Sequence, residues 1–236
     1  MIVACWSGPR NISTALMRSW SSRKDTFVSD EPFYAYYLKK NKNNHPMREE
    51  IIKHYLSDYE KIVNSLSKKI PNQKTVWYQK HMAHHLLDLS KIDWIKKFEN
   101  CILVRHPKEV ISSYTAKNNL TSIKELGYPQ QFEIVNFLKK SNQRFVVIDS
   151  EDLLKEPEKV LTDWCKIINI NFDKSMLHWK KGNHKNDGIW WKHWYDNVIT
   201  TTSFEKYQKR DIKIENKYDS IYNESLEYYN YLKGIK

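Results

Sequence analysis

Apolar residues fall along this chain in short runs and helical stripes that take turns. Residues 2–6 are an apolar, partly β-branched run, which predicts a buried strand, and Ser7-Gly8-Pro9 ends it. Ala15, Leu16, Met17 and Trp20 then recur at helical spacing, with Asn11 or Ser13 placed to cap that helix. A second strand is expected over 26–30 and a polar, basic turn over 39–44. One long amphipathic helix is expected from Arg48, with Ile51, Ile52, Tyr55, Leu56, Tyr59, Ile62, Val63 and Leu66 on its buried face. A strand over 75–79 runs into Lys80-His81, followed by a helical turn within 82–89 and a short helix over 93–98. Residues 101–105 are nearly all apolar, as in a strand buried on both faces. Helices from Pro107 and over 132–140, a strand over 144–149, a helix from Pro157 and a last helix near 223–232 complete the pattern.

This alternation predicts an α/β fold, a single domain with a doubly wound parallel sheet flanked by helices. The core is expected over about 1–170. An aromatic, basic lid or substrate region containing Trp190, Trp191 and Trp194 follows over about 171–236. Ligands of such sheets sit at the carboxyl ends of the strands. That places Arg10, Glu31, Lys80, His81 and Arg105 along one edge.

The 236-residue length is ample for one core. A formal net charge of +11 favours an anionic ligand, although abundant Lys, Asn and Ile explain much of it. Cys5, Cys101 and Cys165 are odd in number and far apart. With no leader ahead of the first strand and no apolar run near the ~18 residues that span a bilayer, the expectation is a cytoplasmic protein without a membrane span.

The turn after the first strand leads into a helix amino terminus, where unpaired N–H groups favour an anion, and Arg10, Ser13 and Thr14 add a cation and two hydroxyls. It lacks the Lys-Ser/Thr pair of a Walker loop. Pro9-Arg10-Asn11-Ile12-Ser13-Thr14 resembles instead the 5′-phosphosulfate loop of sulfotransferases, Pro-Lys/Arg-Ser-Gly-Ser/Thr-Thr, with Asn11-Ile12 in place of Ser-Gly. Arg105 and Ser113, eight residues apart, look like that family's 3′-phosphate motif. The resemblance implies a P-loop-like fold and 3′-phosphoadenosine 5′-phosphosulfate as donor. Arg10, Asn11, Ser13, Thr14, Arg105 and Ser113 would bind it, with Lys181 added by a fainter echo of the family's closing loop.

For the chemistry, Lys80 matches the family's strand-end lysine, whereas Met82 stands where cytosolic members have the base histidine. Glu31, in Asp30-Glu31-Pro32-Phe33, resembles the basic glutamate of trehalose-type bacterial members. It is the expected base, with His81, His84 or His85 as the alternative. Arg10 and Lys80 are expected to neutralise charge on the moving group. No metal is expected; His81 and His85 share a spacing but lack further ligands. The acceptor is expected to be a small alcohol or amine, a cationic one if the tryptophans form a cage. The rivals are a small-molecule kinase, which would need a Lys before Ser13, and a nucleotide- or nucleic-acid-binding protein, for which no module is visible.

Overall fold

In the computed structural model, residues 1–41 and 45–235 are described. Five strands form one parallel sheet: β1 (Ile2–Ser7), β2 (Thr26–Asp30), β3 (Val76–Met82), β4 (Glu99–Val104) and β5 (Phe145–Asp149), in the order β2-β3-β1-β4-β5. The helices are α1 (Ser13–Ser21), α2 (Tyr34–Lys40), α3 (Arg48–His54), α4 (Tyr59–Leu66), α5 (Pro107–Thr115), α6 (Tyr128–Lys140), α7 (Ser150–Lys155), α8 (Pro157–Ile167), α9 (Trp191–Trp194) and α10 (Asp219–Lys233). The expected doubly wound α/β fold is therefore present.

Strand alternation divides the sheet's side chains between two cores. Val3, Cys5, Tyr78, Cys101 and Leu103 face α1 and α8. Ala4, Trp6, Ile102 and Val104 face the opposite way, toward α5, α6 and α10. Both cores are needed because every central strand is apolar on both faces. The chain runs from β1 outward to β2, then returns to add β4 on β1's other side. The loops after β1 and β4 therefore diverge and open a crevice, the place where sheets of this kind bind ligands.

Three local expectations change. The helix expected from Arg48 is two helices, because Tyr55 is extended (φ −116°, ψ 157°) and Asp58 caps a new start through the Lys61 N–H. Neither Asn11 nor Ser13 caps α1: its cap is Ile12 in the left-handed region, while the Asn11 amide donates to the Leu103 carbonyl at 3.1 Å. The turn expected over 39–44 starts with the last two residues of α2, and part of it lies outside the described residues.

Candidate active site

The turn after β1 is shaped by two residues in the left-handed region, Arg10 (φ 61°) and Ile12 (φ 55°). A β-branched residue rarely adopts that conformation, which costs on the order of 1–2 kcal/mol. Ile12 stands where the phosphosulfate loop has glycine, the residue that adopts this conformation most easily. The first bond of α1 runs from the Leu16 N–H to the Ile12 carbonyl. The amides of Ser13, Thr14 and Ala15 have no partner within the helix and stand at its positive end.

From the other side of the crevice, Arg105 follows β4 and Ser113 lies on α5. The Arg10 Nε–H donates to Ser113 Oγ at 2.8 Å, and Arg105 Nη1 donates to the Arg10 carbonyl at 2.7 Å. Arg105 also pairs with Glu109 at 2.7 Å, and its own carbonyl accepts from the Tyr128 hydroxyl at 2.6 Å. Burial, and then the neighbouring Arg105 charge, lower the pKa of Arg10. The two guanidiniums thus gather positive charge at one side of the crevice. The sequence reading gives Arg10 and Lys80 a shared part in neutralising the moving group; the structure turns the Arg10 side chain toward Ser113, with Arg105 on its carbonyl.

The second polar centre lies at the ends of β2 and β3. Asp30 and Lys80 are register partners and share a face. A regular strand would send Glu31 to the opposite face, but its φ of 43° turns the chain there. Lys80 Nζ thus donates to Asp30 Oδ1 at 2.8 Å, to Glu31 Oε1 at 2.7 Å and to the Tyr195 hydroxyl at 2.7 Å. Burial raises the pKa of Glu31; Lys80 opposes the rise and the Asp30 charge adds to it. Burial also works against the Lys80 ammonium, but Asp30, Glu31 and Tyr195 more than offset it and hold its pKa well above the lysine value.

A single cavity of about 600 Å³ joins the two centres. Arg10, Asn11, Ser13, Thr14, Glu31, Lys80, Arg105 and Ser113 all line it. His81 does not. Next to Lys80 on β3, it faces the opposite core, stacked on Trp6 at 4.3 Å with its Nε2 3.1 Å from Gln79 Oε1. Burial pushes its pKa down to about 3. His84 and His85 do reach the cavity, with Tyr34 and Tyr37 stacked on His85. Lys181 is exposed and absent from the lining. Of the expected tryptophan cage only Trp194 lines the cavity; Trp190 is buried and donates to the Tyr195 hydroxyl at 3.2 Å.

Sequence reasoning missed Asp30 and Tyr195, which grip Lys80, and Lys206 and Arg210, which line the cavity from an irregular stretch. Asp30 was legible as a strand-end acid beside Glu31. The other three lie where no periodicity fixes a side chain's direction.

Fold and site define the class: an α/β transferase with a strand–turn–helix at the sheet's switch point and a second cluster of cationic side chains across it. The chain belongs to the sulfotransferase-domain family, whose sequence model matches residues 1–235. Its fold is shared by the sulfotransferase domain of the Synechococcus PCC 7002 olefin synthase (18% identity, TM-score 0.61, 98% of this chain and 94% of that one). The sulfotransferase domain of the curacin biosynthetic pathway is also similar (17%, TM-score 0.53, 100% and 91%). So is a sulfotransferase from Alicyclobacillus acidocaldarius (10%, TM-score 0.55, 97% and 94%). At these identities the likeness is one of fold. Two Arabidopsis thaliana proteins, branched-chain-amino-acid aminotransferase-like proteins 1 and 2, are 32% identical over 233 residues and 30% over 232. The matches cover 99% and 98% of this chain but 42% and 41% of theirs, so the chain spans about two fifths of those relatives' length. Among the described residues no helix is long and apolar enough to cross a membrane.

Proposed function

We propose that this chain transfers a sulfuryl group from 3′-phosphoadenosine 5′-phosphosulfate to a hydroxyl or amine of a small acceptor. The observation that carries the reading is the meeting of Arg10, Ser113 and Arg105 across one cavity from the open amides of α1 and the Lys80–Glu31 pair. This donor set fits a nucleotide with phosphate at both the 3′ and 5′ ends. The 5′ end would sit on the Ser13 and Thr14 hydroxyls and the first-turn amides. The 3′ end would sit on Arg10, Arg105 and Ser113, each charge-assisted bond contributing about 1.5–3 kcal/mol. Lys206 and Arg210 are better placed than Lys181 to close over it.

The donor brings the sulfuryl group already bonded to a phosphate leaving group. Glu31 takes the acceptor's proton, which frees the acceptor's electron pair for the new bond to sulfur. Lys80 and the α1 amides meet the negative charge left on the departing phosphate oxygen as the old sulfur–oxygen bond breaks. Tyr34, Tyr37, His84, His85 and Trp194 wall the space on Glu31's side, where the acceptor would enter.

Calorimetry with 3′,5′-adenosine bisphosphate, 5′-AMP and Mg-ATP tests this. The bisphosphate should bind most tightly, and Arg105→Ala should weaken it by roughly tenfold or more while leaving 5′-AMP nearly unchanged. Tighter binding of Mg-ATP, or equal losses for both adenylates, would replace this reading with a kinase-like one.

A further inference from the structure

All three protons of the Lys80 ammonium are already engaged, and their three acceptors differ. Glu31 retains some access to the cavity, with a side chain 12% exposed. Asp30 lies behind, outside the cavity lining and with a side chain 1% exposed, while Tyr195 is buried at the cavity wall. Asp30 Oδ1 holds Lys80, while Oδ2 accepts from the Tyr195 hydroxyl at 2.6 Å and from the Gly188 N–H at 3.0 Å. The Tyr195 hydroxyl donates to Asp30 and accepts from both Lys80 and Trp190. One carboxylate at a strand end thus ties the ammonium to residues 188–195, which reach it from more than 150 positions away in the chain.

We propose that Asp30 is a positioning residue: with Tyr195 it clamps Lys80 and fastens residues 188–195 over the sheet edge, so that only the Lys80 N–H now donated to Glu31 is free to turn its hydrogen bond to substrate. The proposal rests on the sulfotransfer reading of the Lys80–Glu31 pair. Asp30 and Tyr195 are each tied by further hydrogen bonds to Gly188, Trp190 and one another, whereas exchanging Glu31 for a substrate oxygen both frees the base and arms the cation in one motion. The segment held by the clamp carries Trp194, part of the acceptor wall, so the same bonds set that wall. The charged and titratable groups facing Glu31 are Lys80 on β3, Asp30 on β2, Tyr34 on α2 and Tyr195. Of these Asp30 is the carboxylate, and its removal leaves Glu31 as the one carboxylate on Lys80, beside the Tyr195 hydroxyl.

The test compares Asp30→Asn and Tyr195→Phe with the wild type, using amide hydrogen exchange and titration of the Glu31 side-chain carboxyl by carbon NMR. The Glu31 signal is assigned by its loss in Glu31→Gln. Asp30→Asn should speed exchange at Gly188 and across 189–195 by roughly tenfold or more, the size of losing one charge-assisted bond. It should also move the Glu31 midpoint to lower pH. Tyr195→Phe, which keeps the ring, should speed the same amides. Wild-type exchange and an unmoved Glu31 midpoint in a folded Asp30→Asn would overturn the clamp. If that variant does not fold, unchanged exchange in Tyr195→Phe overturns it instead. Binding of 3′,5′-adenosine bisphosphate is measured alongside: a wild type that fails to bind it removes the sulfotransfer reading, while the exchange and titration results still decide the clamp.

Discussion

Glu31 and His81 are one residue away from Asp30 and Lys80 respectively, and their opposite fates show how a single backbone torsion sorts chemistry. His81 obeys strand alternation and is lost to the core against Trp6. Glu31 escapes alternation through its positive φ and joins Lys80. Glu31→Gln should therefore abolish most turnover, by about 10²–10⁴-fold for a lost general base, while binding of the bisphosphate stays close to wild type. Retained turnover would pass the role to His84 or His85. Wild-type turnover should rise with pH through a midpoint above the ordinary carboxylate range, because the base works ionised and burial raises its pKa. A rate profile with no such rise above pH 5 would remove Glu31 from that role.

At the scale of elements, the loop after β1 depends on a neighbour that no local pattern announces. The turn at Ile123–Leu126 presses its backbone on Gly8: a Cβ there would lie 2.1 Å from the Leu126 carbonyl oxygen. Gly8→Ala should destabilise the protein by about 1–3 kcal/mol and shift the loop that carries Arg10. Urea denaturation and bisphosphate calorimetry on this variant check it; unchanged values in both would show that the two turns do not press together. The helices of the 48–66 stretch and the irregular stretch at 203–212 are fixed by what they pack on, so a periodic reading merges the first and leaves the second blank.

Across the whole molecule, the buried polar groups include the Asp30–Lys80 pair at the sheet edge and the histidines His81 and His85. His81 is 1% exposed and its pKa falls to about 3 through burial, below the unfolded value near 6.5. A depressed pKa contributes stability that is fully present above about pH 6.5 and is lost as pH falls toward 3. At pH 5 the loss from this one group is roughly 2 kcal/mol. Stability measured by urea denaturation at pH 7 and pH 5 should therefore drop, and the drop should shrink in His81→Phe, which keeps a ring on Trp6. An equal drop in both would assign the acid sensitivity elsewhere, with His85, buried against Tyr34 and Tyr37, the next group to replace. The buried Arg18–Asp187 pair at 2.6 Å separately holds the late segment on α1.

The alternation of apolar runs and helical stripes was enough, without coordinates, to establish the parallel α/β layering and the strand ends that carry Arg10, Glu31, Lys80 and Arg105, because burial on both faces writes itself directly into composition. The two phosphate-like motifs were legible for the same reason: they are local, and each sits immediately after a strand or on the helix that follows one. Which way Arg10 points, whether Glu31 or His81 reaches the cavity, and the grip of Asp30 and Tyr195 on Lys80 were decided only by the tertiary structure. Those outcomes turn on a positive φ, on interstrand register and on contacts between residues far apart in the chain, and none of these leaves a periodic trace in the order of the amino acids.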